Sequence, residues 1–223
     1  MHNIRLAYLK DCTVFFDFDN TITTFDVLDD IIKRFSINKD WKVFESAWQR
    51  GEINSRECLE GQLRSIRISK RNLLHYLSRI KVDRHIHKLF NLLIREGIKP
   101  VVLSDSFTFI IKSILLNSGI KAAKIYANRL NFCGNRLIPS FPYEHKHCAS
   151  CAHCKKKNLL QRVFRDKIIV YIGDGLSDIC PAECSDIVFA KGSLLKHFRR
   201  TKRLCLSFNT LDDIYKYFRR LEK

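Results

Sequence analysis

Five short apolar runs limit what this chain can fold into: residues 13–16, 101–104, 168–172, 187–190 and 204–208. They are rich in Val, Ile and Phe and lack the in–out alternation of a half-exposed strand. Strands covered on both faces, as in a parallel sheet, have this pattern. Helical faces separate them. Ile86, Leu89, Phe90, Leu93 and Ile94 share one face, and Gly97 ends that helix. Phe107, Ile110, Ile111, Ile114 and Leu115 form another, closed by Asn117-Ser118-Gly119; Leu211, Ile214, Tyr215 and Phe218 predict a helix at the C-terminus. Strands alternating with helices predict an α/β fold, a doubly wound, Rossmann-like parallel sheet.

The stretch 25–84 breaks the alternation, with about four helical patterns and no good strand. Ser69 stands as an N-cap before one of them. The division that follows is a core of residues 1–24 and 85–223 with an inserted helical cap domain at 25–84. The cap covers the C-terminal edge of the sheet, where open α/β sheets place their sites. Residues 124–142 read as a hairpin turning at Gly134-Asn135.

Carboxylates cluster where the strands end. Asp17 and Asp19, two apart in "FFDFDNT", point to the same side of an extended chain. A buried acid pair without partners costs several kcal/mol, and the adjoining sequence supplies no cation. A second set follows another strand, in "YIGDGLSD": Asp174 between two glycines, and Asp178 four residues on. If the two strands are neighbours, three carboxylates converge at one edge. A few hard oxygen ligands suit Mg²⁺, which binds alongside phosphate oxygens. Ser104 ends the run "VVLS" with a helix opening close behind, a hydroxyl and free N–H groups fit for an anion. "CKKKNLL" brings an ammonium towards the same edge from Lys155, Lys156 or Lys157.

In this combination the chain resembles the haloacid dehalogenase superfamily, mostly phosphatases. "DFDNTIT", "VVLSD", "CKKKNLL" and "GDGLSD" resemble its four motifs in order, and the helical insertion lies where the phosphoserine-phosphatase branch carries its cap. "WQRGEINSRECLEGQ", "HCASCAHCK" and "GDGLSDICPAECSDIVFAKGSLL" are similar to a subgroup of methionine-salvage phosphatases, phosphoethanolamine/phosphocholine phosphatases and a plant pyrophosphatase. The resemblance implies an aspartyl-phosphate formed on Asp17, with Asp19 as general acid and then base. It implies Ser104 and a lysine, preferably Lys155, on the phosphoryl oxygens. Thr21 would support the loop by hydrogen bonding and Gly175 would lie against substrate. Asp17, Asp19 through its carbonyl, and Asp174 would bind Mg²⁺, with Asp178 holding its waters. Asp26 stands where related enzymes carry a substrate-contacting acid, and Arg56 and Glu57 are candidates for gating or specificity, against ordinary helix-surface charge.

Nine cysteines, an odd number, argue against a disulfide framework. Cys12, Cys58, Cys180, Cys184 and Cys205 are expected mostly in the core. Cys148, Cys151 and Cys154, with His145, His147 and His153 interleaved and Cys133 as a further ligand, raise a structural Zn²⁺ site.

The formal charge of +17 favours anionic partners. The expected partner is a small phosphorylated metabolite, because a cap leaves little room for a macromolecule. The rivals are a pyrophosphatase or phosphotransferase on the same fold, and a nucleic-acid-binding protein using "HFRRTKR" and "YFRR". No apolar stretch is long enough to span a bilayer and no secretion signal is visible, so a cytoplasmic protein without membrane attachment is expected.

Overall fold

A computed structural model describes residues 11–145, 148, 151–163 and 167–221 of the chain. Its frame is a seven-stranded sheet: β1 (Cys12–Phe16), β2 (Val101–Phe107), β3 (Lys124–Cys133), β4 (Arg136–Ser140), β5 (Ile168–Gly173), β6 (Ile187–Ala190) and β7 (Leu206–Ser207). The order is β4-β3-β2-β1-β5-β6-β7. Every pairing is parallel except the hairpin β3–β4, which turns at Gly134-Asn135 as expected.

The helices are α1 (Val27–Phe35), α2 (Trp41–Gln49), α3 (Ser55–Arg64), α4 (Lys70–Leu77), α5 (Ile86–Arg95), α6 (Thr108–Asn117), α7 (Lys155–Leu160), α8 (Ile179–Glu183), α9 (Gly192–Arg200) and α10 (Leu211–Leu221). The sheet is covered on both faces. Val14, Phe16, Val102, Val170 and Ile172 join α1, α4, α5, α6 and α10 in one core. Phe15, Leu103 and Tyr171 face the other way, onto α7, α8 and α9. This double burial explains why the strand sequences do not alternate.

The four helices α1–α4 lie between β1 and α5. The two ends of that segment meet at an antiparallel bridge between Thr23 and Val82, and Asp83 N donates to the Ile22 carbonyl at 2.8 Å. The local stops and starts follow the sequence. Asp26, Asn54 and Ser69 cap α1, α3 and α4 with their side chains, Asn54 as a full capping box with Glu57. Gly97 takes a positive φ just past α5, as expected.

Three expectations are corrected. The last strand is two residues, not five: Leu204 is 96% exposed, and only Leu206 and Ser207 pair with β6. Phe107 belongs to β2, which runs three residues past Ser104 after a register shift against β3. Cys180 is exposed and Cys184 and Cys205 are half-buried, so only Cys12 and Cys58 of that group are core residues. None of the described helices is long and apolar enough to cross a membrane.

Candidate active site

β1 and β5 are neighbours, with Phe16 level with Ile172, so the residues that follow them emerge side by side at the C-terminal edge. Asp17 and Asp174 come from those two strand ends. With Asp178 they form the only group of three or more candidate ligand side chains within 4.8 Å of one another among the described residues.

Lys155, first residue of α7, reaches into this group. It is 3% exposed, and its Nζ donates to Asp17 Oδ1 at 2.7 Å, Asp178 Oδ1 at 2.8 Å and Ser177 Oγ at 3.1 Å. Lys156 is exposed, and Lys157 lies in a separate groove beside Tyr143 and Glu144. The geometry therefore selects Lys155 from the three. Burial works against its charge, but Asp17 and Asp178 outweigh that and hold its pKa well above the usual lysine value.

One ammonium does not balance three carboxylates. Burial and then Asp178 push Asp17 well above the usual carboxylate range. Burial and Asp178 likewise raise Asp174 to about 6. The donor set is hard oxygen with surplus negative charge, which fits a small divalent cation such as Mg²⁺.

Asp178 is 0% exposed and saturated. Its Oδ1 accepts from Lys155 and from Tyr171 Oη at 2.7 Å, and its Oδ2 accepts from the backbone N–H groups of Asp174 and Gly175. It thus ties the Gly173–Gly175 bend to the lysine. Gly173 is required beneath it, because a Cβ there would lie 2.6 Å from Asp178 Oδ2. Thr21, 1% exposed, donates to Asp174 Oδ1 at 3.0 Å, so it orients a carboxylate and does not line an open surface. Gly175 is likewise engaged through its N–H with Asp178.

Asp19 sits apart from the trio. Its Oδ1 accepts from Val27 N at 2.8 Å, in the first turn of α1. Burial, reinforced by Asp26, raises its pKa to about 8, which favours the protonated form. Asp26 is exposed, and its Oδ1 caps α1 by accepting from Asp29 N at 2.8 Å. Ser104 is 1% exposed at the bend of β2; its Oγ accepts from Ser106 N at 3.0 Å, which leaves the hydroxyl proton free to donate. Arg56 is drawn elsewhere: it pairs with Glu60 at 2.9 Å and Glu144 at 2.7 Å and stacks over Phe141. Glu57 is spent on the capping box of α3.

Two further residues of the site had no counterpart among the expected ones. Tyr171 is fully buried and donates to Asp178. A tyrosine inside an apolar strand, two residues before a Gly-Asp-Gly bend, is the signal that would have found it. Asp105 lies next to Ser104, with an Oδ1 that is buried without a partner, and burial raises its pKa against the pull of Lys155.

Among the described residues the cysteine expectation gains no support. Cys148, Cys151 and Cys154 do not form a group of converging ligands. Cys154 is buried as the N-cap of α7. Both ring nitrogens of His153 are occupied, by the Ser104 carbonyl at 2.8 Å and the Asn158 side-chain amide at 2.6 Å. Cys133 is exposed in the hairpin, and His147 lies outside the described residues.

The chain is similar to known proteins in sequence and in fold. The chain is 27% identical over 218 residues to 2-hydroxy-3-keto-5-methylthiopentenyl-1-phosphate phosphatase of Geobacillus kaustophilus, covering 96% of this chain and 98% of that one. It is 28% identical over 184 residues to the bifunctional enzyme MtnB/MtnX of Bacillus licheniformis, which covers 81% of this chain but only 43% of that longer protein. Among solved structures, a phospho-aspartyl intermediate analogue of phosphoserine phosphatase matches with a TM-score of 0.68 at 19% identity, over 93% of this chain and 98% of that one. A substrate-bound phosphoserine phosphatase matches with a TM-score of 0.67 at 19% identity, over the same shares. The sequence profile of the Putative Phosphatase family matches residues 12–200, and the chain belongs to that family: it is a phosphatase of the haloacid dehalogenase type.

Proposed function

We propose that this phosphatase hydrolyses a small phosphomonoester through an aspartyl-phosphate on Asp17, with Mg²⁺ held by Asp17, Asp174 and the backbone carbonyl of Asp19. The observation that carries the reading is the Asp17–Lys155–Asp178 cluster with Asp174 beside it and Asp19 following Asp17 at the same strand end. A bound Mg²⁺ would neutralise charge on the phosphoryl oxygens and keep Asp17 ionised. Asp17 attacks phosphorus. Asp19 gives its proton to the departing oxygen, and then takes one from the water that releases phosphate. Lys155 and Ser104 hold the phosphoryl oxygens, Lys155 by turning a donor from one of the three acceptors it serves without substrate. Asp178 holds Lys155 and the Gly173–Gly175 bend, and Thr21 holds Asp174; the second pair acts on the metal through its ligand.

We assign residues 25–84 as the cap. Its two ends are pinned together at Thr23 and Val82, as a hinge requires, and besides the buried side chains of α1 and α4 it meets the core through polar contacts. Those include Ser55 Oγ with Ala152 N, Ile68 N with the Asn135 carbonyl, and Arg56 with Glu144. The last is an exposed pair worth about 0–1 kcal/mol, weak enough to open and reclose in turnover. The favoured substrate class is a small phosphorylated metabolite like the one named for the Geobacillus relative.

The test is phosphate release from a panel of p-nitrophenyl phosphate, phosphoserine, phosphoethanolamine, phosphocholine, pyrophosphate, sugar phosphates and enol phosphates, each with Mg²⁺, with EDTA and with Asp17→Asn. The reading predicts metal-dependent release that falls at least about 10⁴-fold in the variant. Release confined to pyrophosphate, or transfer to an added alcohol instead of water, would move the assignment to the rival chemistries. A folded protein inactive on the whole panel, yet binding RNA or DNA with a steep salt dependence, would favour the nucleic-acid reading.

A further inference from the structure

His153 lies between the two groups assigned above to the phosphoryl oxygens, in the cysteine-rich loop. It is 1% exposed. Its ring and its backbone reach both groups. Nδ1 is 2.8 Å from the Ser104 carbonyl, and its own carbonyl accepts from Lys155 N at 2.8 Å.

The tautomer follows from the partners. A carbonyl oxygen only accepts, so Nδ1 carries the proton. Nε2 then accepts from Asn158 Nδ2 at 2.6 Å, and burial, which lowers the imidazole pKa to about 4, keeps the ring neutral. The Ser104 carbonyl lies where β2 shifts register against β3, between Ser104 and Phe107. The imidazole supplies a donor to that buried oxygen.

The ring is clamped as well as bonded. Tyr143 packs on it with centroids 5.1 Å apart and planes tilted by 30°. The Tyr143 carbonyl accepts from Cys154 N at 3.0 Å. Arg162 stacks over Tyr126 at 3.7 Å and donates to the Asn158 carbonyl at 2.9 Å, which fixes the residue that fixes Nε2. Tyr126, Tyr143, Asn158 and Arg162 thus hold one imidazole in one orientation.

We propose that His153 is a positioning residue: through its Nδ1–H bond to the Ser104 carbonyl and its backbone bond to Lys155 it sets the spacing of the hydroxyl and the ammonium that grip the phosphoryl group. The proposal rests on the phosphatase reading and on those two groups facing the phosphoryl oxygens. A displacement of about 1 Å in such a pair costs about 10²-fold, so the effect is measurable.

The test uses the full chain with Mg²⁺, the best phosphomonoester of the panel, and inorganic phosphate as the bound probe. His153→Phe keeps a ring but loses both nitrogens; it is expected to lower kcat/KM about 10- to 100-fold and to raise the inhibition constant of phosphate. Its Mg²⁺ concentration dependence should stay as in the wild type, because Asp17 and Asp174 are untouched; a general loss of structure would shift that too. His153→Asn, whose amide nitrogen falls near the place of Nδ1, should recover most of the loss. His153→Gln, which places its amide near Nε2, should not.

Wild-type kcat/KM and phosphate inhibition in His153→Phe would overturn the proposal, as would His153→Asn performing no better than His153→Gln. If His153→Phe does not fold, the Asn–Gln order decides alone. A wild type that releases no phosphate from any monoester defeats the phosphatase reading and this proposal with it. An active wild type beside an unimpaired His153→Phe defeats only the proposal.

Discussion

The C-terminal edge of the sheet and the four-helix insertion beside it are built in opposite ways. At the edge, two of the bonds that matter are long-range, Lys155 to Asp17 across 138 residues and Thr21 to Asp174 across 153, and the fully buried Asp178 has donors on both oxygens. In the insertion many are local and exposed. Lys33 pairs with Asp29, Arg34 with Asp30 and Arg56 with Glu60, each one helical turn apart, and α2 buries none of its residues. Exposed pairs of that kind are worth about 0.3–0.5 kcal/mol, whereas breaking a buried ion pair costs about 3–5 kcal/mol. The difference teaches where the fold invests precision. Chemistry is held by groups that cannot move without large cost, and access is left to groups that can.

The contrast is sharpest at Asp19, proposed above as the acid and base, which is bonded to the first turn of the insertion. Asp19→Asn should lower kcat about 10²- to 10⁴-fold on alkyl phosphates and markedly less on p-nitrophenyl phosphate, whose leaving group needs no proton. Equal losses on both would remove Asp19 from the acid role. In the wild type kcat/KM should fall as pH rises through about 8, because a raised pKa means the useful proton is lost on that side.

Lys155→Met should cost about 10²- to 10³-fold in kcat and also lower the thermal midpoint, since it leaves Asp17 and Asp178 buried without their ammonium. A variant of unchanged stability would contradict the account of the edge as an ion cluster. Thr21→Val removes only the bond that orients Asp174. Its Mg²⁺ requirement should rise about 10- to 100-fold, with kcat at saturating Mg²⁺ nearly preserved.

Mg²⁺ itself separates the two regions. Asp174 and Asp19 have raised pKa values, so without metal they favour the folded state at low pH and lose that contribution as pH rises through about 6 and about 8. Added Mg²⁺ should therefore raise the thermal midpoint more at pH 8 than at pH 5, read by calorimetry. The smallest effect is expected in the insertion. Arg56→Ala breaks one exposed link to Glu144, with a stability change within about 1 kcal/mol and any change in turnover appearing in KM and kcat together. A large stability loss there would mean the insertion is as rigidly docked as the edge is built.

The sheet and the acids at its edge were legible because each signal is local. Apolar runs buried on both faces end in Asp17 and Asp174, and a strand end has one side to point to. The helices of the insertion were legible from their apolar patterns, and α4 also from its cap at Ser69. The choice among Lys155, Lys156 and Lys157 was not, because a helix of six residues has too little periodicity to show which side faces in. Long-range partners were invisible for a similar reason. Nothing near Arg56 points to Glu144, 88 residues away. Nothing near His153 points to the Ser104 carbonyl, which takes its donor from outside β2. The zinc expectation gains no support on the same ground: close spacing does not by itself bring Cys148, Cys151 and Cys154 together, and among the described residues they form no ligand group. The last strand was overread because Leu204 is apolar yet lies exposed in the irregular stretch before β7.

The most direct measurement is a borohydride trap of the reaction quenched in acid during turnover, followed by peptide mapping. An aspartyl-phosphate is reduced to homoserine. The account predicts homoserine at residue 17 and nowhere else, dependent on Mg²⁺ and on substrate. Homoserine at another acid, or none in a protein turning over at its full rate, would contradict it.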